Sequence, residues 1–252
     1  MSTDNSWQKS MYDNFFAKAT LDSEGLKEKA KQEVSFLVNT LGLSSKAKIL
    51  DIPCGTGRHA RILGEKGHEV IGLDISQSCI DIAKSASPVT GLTYKLGNMN
   101  DLSEYRGQFD CVLNLFSSFG YFSTDEENEH VLGEMIRALR PGGKLVINVI
   151  NREWLLSIYK PALWFKSGSV ITVSAGNYDP KTHFNESYMT LKDESTGETT
   201  LSYHRMRLYS PSEMIELMKR HGLKDVKAYG SFNGEELDEL KSTHPFYIGT
   251  KY

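Results

Sequence analysis

Cysteine is scarce in this 252-residue chain, and the three present, Cys54, Cys79 and Cys111, are odd in number and never spaced Cys-x-x-Cys. That pattern excludes a disulfide framework and offers no zinc site, so reduced thiols and no bound metal are expected. Surplus positive charge is also missing: 29 Lys and Arg stand against 32 Asp and Glu, a net charge of −3. Nothing global attracts phosphates, so nucleic acid is not an expected partner. No window approaches the roughly eighteen consecutive apolar residues of a membrane span. The first residues, Met1-Ser2-Thr3-Asp4, lack a basic segment leading into an apolar run. No membrane partner and a cytoplasmic location are the expectations. Internal repeats and low-complexity stretches are absent as well. What remains is an ordinary globular composition, long enough for one α/β domain with an insertion.

Strands and helices alternate through the first 150 residues or so. Lys46 to Asp51 is a short apolar strand that ends at a glycine loop, and Arg58 to Lys66 reads as a helix stopped by Gly67. Glu69 to Leu73 is a second strand, Gln77 to Ala86 a helix, and Leu92 to Leu96 a third strand. Phe109 to Asn114 reads as a buried fourth strand. Thr124-Asp125-Glu126-Glu127 then offers a capping box to a helix with Val131, Leu132, Met135, Ile136 and Leu139 on one face. Pro141-Gly142-Gly143 ends it and turns the chain into a fifth strand, Lys144 to Ile150. Such alternation implies right-handed crossovers and a mainly parallel, doubly wound α/β sheet with helices on both faces.

From about Asn151 the texture changes. Val170 to Tyr178, Asn185 to Lys192 and Thr199 to Tyr209 alternate polar with apolar residues between turns at Asp179-Pro180 and Ser195-Thr196-Gly197, an antiparallel insertion. The wound pattern resumes with Ser210 as N-cap, Pro211 in the first turn, Glu213 closing a capping box and Gly222 after the last turn. Lys224 to Gly230 and Pro245 to Lys251 complete seven strands, the last expected to pair antiparallel. The expected units are 1–45, an N-terminal helical lid; 46–150, the cofactor-binding core; 151–209, a substrate cap; and 210–252, the completion of the sheet.

Ile49-Leu50-Asp51-Ile52-Pro53-Cys54-Gly55-Thr56-Gly57-Arg58-His59-Ala60 places glycines between a strand end and a helix start, where backbone can approach a ligand. Gly55-x-Gly57-x-x-Ala60 also fits a dinucleotide fingerprint, so the glycines alone do not choose between NAD and S-adenosylmethionine (SAM). A dinucleotide strand normally runs almost directly into its first glycine. Here Asp51-Ile52-Pro53-Cys54 intervenes. Asp74 closes the second strand, where a carboxylate can accept both hydroxyls of a ribose; that supports an adenosine-containing ligand without naming it.

This stretch resembles the first motif of the class I SAM-dependent methyltransferases, an acidic strand end followed by Gly-x-Gly. The resemblance continues through Phe109-Asp110-Cys111-Val112-Leu113-Asn114-Leu115-Phe116-Ser117-Ser118-Phe119-Gly120-Tyr121-Phe122, and Leu139-Arg140-Pro141-Gly142-Gly143 extends it over roughly residues 46–150. It implies SAM as cofactor, with Asp51, Gly55 and Gly57 around the methionine portion and Asp74 at the ribose. Cofactor contacts would extend to Pro53, Arg58, Ile75, Met99, Asn114, Leu115 and Phe116. The family commonly has an acidic residue after the third strand to hold the adenine amino group. Asn98 stands there instead, and Asn98, Met99 and Asn100 remain alternatives for that contact.

Methyl transfer from a sulfonium is an in-line displacement, so the protein mainly aligns donor and acceptor and excludes water. Where a proton must leave the acceptor, Tyr121 and Tyr12 are the candidate catalytic residues, with His204 and Tyr209 behind them. Ser117, Ser118, Tyr121, Arg207 and Tyr209 are candidate acceptor contacts, the arginine suited to a carboxylate or phosphate. An Asn-Pro-Pro-Tyr motif for nucleobase chemistry is missing, since the fourth strand continues Asn114-Leu115-Phe116-Ser117. Trp7, Tyr12, Phe15 and Phe16 give an aromatic face ahead of a charged helix from about Glu24 to Leu41, and the resemblance suggests that this segment covers the cofactor. The reading is a SAM-dependent methyltransferase acting on N or O of a small molecule. The competitors are an NAD(P)-dependent oxidoreductase and a non-catalytic SAM-binding regulator.

Overall fold

A computed structural model describes residues 24–252. Trp7, Tyr12, Phe15 and Phe16 lie outside the described residues. The helices are α1 (Glu24–Leu41), α2 (Arg58–Glu65), α3 (Gln77–Ser85), α4 (Asp125–Ala138), α5 (Arg152–Ser157) and α6 (Pro211–Arg220). The first five strands are β1 (Lys48–Asp51), β2 (Glu69–Asp74), β3 (Leu92–Leu96), β4 (Phe109–Asn114) and β5 (Leu139–Asn148). Then come β6 (Ala162–Ser167), β7 (Val170–Tyr178), β8 (Phe184–Asp193), β9 (Thr199–Arg207), β10 (Leu223–Tyr229) and β11 (Phe246–Lys251).

Seven strands form one sheet in the order β10-β11-β5-β4-β1-β2-β3. β1 to β5 pair parallel, and β11 runs antiparallel between β5 and β10. Strand order reverses at β1, with β2 on one side and β4 on the other, which opens a crevice beyond the C-terminal ends of these strands. Alternation along each strand fills both faces. Leu50, Val112, Leu145, Ile147 and Tyr247 share one buried cluster with α4 and α6, while Ile49, Val70, Cys111, Leu113 and Val146 share the other with α1, α2 and α3.

Local chemistry starts the helices where expected. Thr124 Oγ1 accepts from Glu127 N at 3.2 Å, and Ser210 Oγ accepts from Glu213 N at 3.2 Å while Glu213 returns the bond to Ser210 N. β5 differs from expectation: it begins at Leu139, and the partners shift from Phe109↔Leu139 to Cys111↔Lys144. Arg140-Pro141-Gly142-Gly143 therefore bulges within the strand instead of preceding it.

The antiparallel insertion is a separate four-stranded sheet, β6-β7-β8-β9. Its first strand has no counterpart in the sequence reading, because Leu163-Trp164-Phe165 is a continuous apolar run without alternation. β9 also stops at Arg207, two residues early. Tyr209 leaves the ladder and forms a lone parallel bridge with Asn151, which returns the chain to the core.

Candidate active site

The crevice is built from the ends of β1, β2, β3 and β4. The loop after β1 is tied down on both sides: Ile52 N donates to Leu113 O at 2.9 Å and Cys54 N to Leu73 O at 2.8 Å. The Ile52–Pro53 peptide is cis, and Gly55 and Gly57 take positive φ of 52° and 83°. Gly57 meets Tyr94, whose hydroxyl donates to Gly57 O at 3.0 Å and whose ring would lie 2.6 Å from any added Cβ. Only glycine suits both the backbone and the space.

Asp74 is the joint between this loop and β2. Its Oδ2 accepts from Gly55 N at 2.8 Å and its Oδ1 from Ser76 N at 2.9 Å. Gly97 N donates to Asp74 O at 2.9 Å, which brings the Asn98 loop to the same rim. Asn98 Oδ1 accepts locally from Asn100 N at 3.1 Å, and Met99 packs on the core with its sulfur 3.9 Å from Asn114 Nδ2. Asp51, Asp74 and Asn98 thus converge on one edge of the sheet.

Asp51 is 1 % exposed, and burial pushes its pKa up to about 7 against the opposing charge of Arg58 and a hydrogen bond from the Ala60 backbone. The Arg58 guanidinium lies over the Phe116 ring, 4.3 Å from its centroid. Around these two residues, four buried polar atoms have no hydrogen-bond partner among the described residues: Asp51 Oδ2, Arg58 Nε, Asn114 Oδ1 and Ser117 Oγ. Each unsatisfied buried group costs about 1–3 kcal/mol, which makes these four atoms the candidate contacts for a polar ligand. Asn114 is itself fixed by donation to Ile52 O at 2.8 Å.

Beyond Asn114 the chain makes an unusual turn. Phe116 and Ser117 both lie in the left-handed region, at φ of 60° and 56°. Neither is glycine, and each such residue stores on the order of 1–3 kcal/mol. Asn148, at the end of β5, holds them: its Oδ1 accepts from Phe116 N at 3.1 Å and its carbonyl from Ser117 N at 2.9 Å. Ser118 Oγ donates to Leu115 O at 2.8 Å, and Tyr121 is half-buried farther along the loop.

Two residues expected at the acceptor have their side chains engaged in protein contacts. Arg207 is 6 % exposed and directs its guanidinium to Asp125, Glu213 and Leu208 O, over the Tyr209 ring. Its charge is matched inside the junction between β9, α4 and α6, which the alternation of the strand alone did not reveal. Tyr209 is buried against Phe119, 5.4 Å between ring centres. Conversely, the sequence reading passed over Asn148, Tyr94 and a buried pair, Glu33 with His59 Nε2 at 2.7 Å, that locks α1 to α2. Burial is the largest influence on both members and depresses the imidazole. For Glu33, the His59 hydrogen bond and the nearby charges of His59, Lys29 and Arg58 outweigh burial and hold the carboxyl below its usual range. Polar Asn148 interrupting the apolar run from Leu145 to Ile150 was the one visible signal among these.

Residues 49–143 match the family described as "Methyltransferase domain". A putative methyltransferase, YqeM of Bacillus subtilis, is 25 % identical over 202 residues, covering 77 % of this chain and 80 % of that protein. A dTDP-3-amino-3,4,6-trideoxy-alpha-D-glucopyranose N,N-dimethyltransferase of Streptomyces venezuelae is 32 % identical over 101 residues, 40 % of this chain and 41 % of its own. Among solved structures, the CcbJ methyltransferase of Streptomyces caelestis superposes with a TM-score of 0.80 at 20 % identity, covering 96 % of this chain and 98 % of that one.

Proposed function

The chain is a class I SAM-dependent methyltransferase, and from that premise we propose that it methylates a nitrogen or oxygen of a small-molecule acceptor held between the Phe116–Tyr121 loop and the antiparallel insertion. The observation that carries this reading is how the insertion is moored. Arg207 N donates to Gly120 O at 2.7 Å and Arg205 Nη1 to Ser123 O at 2.7 Å, so the last strand of the insertion is pinned to the loop that follows β4. A sheet tied to that loop would roof the crevice and would suit an acceptor small enough to be enclosed.

In this reading Asp51 Oδ2 and Arg58 Nε would be the acceptor and donor for the charged amino-acid end of the cofactor, and the Asp74 carboxylate at the end of β2 would hold its ribose hydroxyls. Met99 and the Asn98 loop flank the adenine, with Pro53, Ile75 and Leu115 lining the same rim. SAM supplies an electrophilic methyl group on a positively charged sulfur. Ser117 Oγ, buried and unpartnered beside the loop, orients the acceptor, with Ser118 and Tyr121 behind it. Tyr121 and, outside the described residues, Tyr12 are the groups proposed to take or steer an acceptor proton. The net charge of −3 argues against a nucleic-acid acceptor, and three buried free cysteines suit a reducing cytoplasm. No described helix is long and apolar enough to cross a membrane. The amino-sugar N-methyltransferase likeness favours nitrogen, but it spans only 40 % of this chain.

Incubation of the full chain with SAM and a panel of amines, amino sugars, carboxylic acids and phenols, with activated carbon acids as carbon nucleophiles, tests this directly. S-adenosylhomocysteine formation dependent on a small N- or O-nucleophile is expected. Tight SAM binding without turnover across the panel would favour a regulator, and turnover confined to carbon nucleophiles would overturn the acceptor assignment.

A further inference from the structure

Asn148 is buried where three strand ends meet, and its side-chain amide is engaged at both ends. Its Nδ2 donates to His244 O at 2.8 Å and Pro245 O at 3.1 Å, just before β11, while Oδ1 and the carbonyl receive the Phe116 and Ser117 amides. Asn151 pins the preceding stretch in the same way, donating to Glu239 O at 2.7 Å and Ser242 O at 2.9 Å. The chain before β11 is therefore an anchored support, and Asn148 bridges it to the two left-handed residues after β4.

We propose that Asn148 is a positioning residue: it holds Phe116 and Ser117 in their left-handed turn, and through them sets Arg58 for the cofactor and the Ser117 hydroxyl for the acceptor. The linkage is continuous. A non-glycine residue keeps positive φ only where its surroundings over-determine it, and the Phe116 and Ser117 amides both end on Asn148. The Phe116 ring in turn supports the Arg58 guanidinium, and Arg58 faces the Asp51 carboxylate. Release of the Phe116 amide lets that residue return to negative φ, which swings the ring off Arg58. The inference rests on the cofactor-site reading given above.

The test is a double-mutant cycle on SAM affinity, measured by calorimetry on the full chain, with amide exchange alongside. Asn148→Ala and Phe116→Ala should each weaken SAM roughly tenfold, and the double variant should fall no more than about threefold below Phe116→Ala alone, because coupled neighbours are not additive. Asn148→Asp, which keeps an oxygen facing the Phe116 N–H, should recover part of the loss. In Asn148→Ala the Phe116 amide should exchange faster while that of Ser117, bound to the backbone carbonyl, stays protected. The proposal is overturned by losses that multiply, or by a lower thermal midpoint with SAM affinity within about twofold of wild type. Should Asn148→Ala not fold, Asn148→Asp and wild-type exchange still decide, since an unprotected Phe116 amide in the wild type also overturns it. Failure of the wild-type chain to bind SAM would count against the site reading, and exchange at Phe116 would remain the judge of the clamp.

Discussion

A carboxyl buried as deeply as Asp51 is held near neutrality by its surroundings, with a pKa of about 7 raised chiefly by burial. In the unfolded chain the same group titrates near 3.9. Between these values the folded state binds more protons, so the stability contributed by neutral Asp51 is fully present below about pH 4 and is lost as pH rises through about 7. Cofactor binding has the opposite sign if the ionised carboxylate receives the cofactor's ammonium group. SAM affinity should rise about tenfold from pH 6 to pH 8, following the ionised fraction of a group with pKa near 7. Asp51→Asn should abolish that dependence, bind SAM more weakly at pH 8, and lose less thermal stability than wild type over the same range. Calorimetric titrations at four pH values decide it, and a pH-independent wild-type affinity would remove Asp51 from the ammonium contact. The residue's candidacy for the site was legible from its place between strand and glycine loop. Its protonation was not, because that depends on how completely β4 and α2 enclose it.

At the scale of elements, the clearest sequence signals were those whose chemistry is local. Ser210-Pro211-Ser212-Glu213 starts a helix by its own hydrogen bonds, and α6 begins where they place it. α1 likewise spans the charged segment expected of it, Glu24–Leu41. β6 and α5 were not legible: one is an exposed edge with apolar side chains on both faces, and the other is six residues long, too short for a periodic pattern. Arg207 shows the same limit. Strand alternation sets the face it occupies, while its partners come from α4 and α6, elements far away in sequence. Its removal should therefore act on folding. Asp125 is half-exposed and Glu213 keeps Arg152 at 2.6 Å, so the loss should be about 2–4 kcal/mol, below that for a wholly buried pair stripped of one member. Urea unfolding of Arg207→Ala should show this shift with SAM affinity within about threefold of wild type. A stable variant with impaired acceptor KM would return Arg207 to the acceptor site.

For the whole molecule, the charge around the glycine loop favours an adenosyl sulfonium over a dinucleotide. Both ligands carry an adenosine for Asp74, and both use backbone that only glycine permits. A pyrophosphate over the first turn of α2, however, would lie near Asp51, which has a buried oxygen without a hydrogen-bond partner among the described residues and whose ionised form repels anions. A cationic ammonium removes that conflict and a sulfonium adds none. A ligand that binds only the folded chain at 100 times its Kd stabilises it by about 2.7 kcal/mol. For a protein near this size that raises the thermal midpoint by roughly 5–10 °C. SAM and S-adenosylhomocysteine should both produce such a shift, whereas NAD and NADP at equal concentration should leave the midpoint within about one degree. Stabilisation by NAD(P) alone would mean that the negative charge of Asp51 is neutralised in the assembled site, and the electrostatic argument for a sulfonium would fail with it.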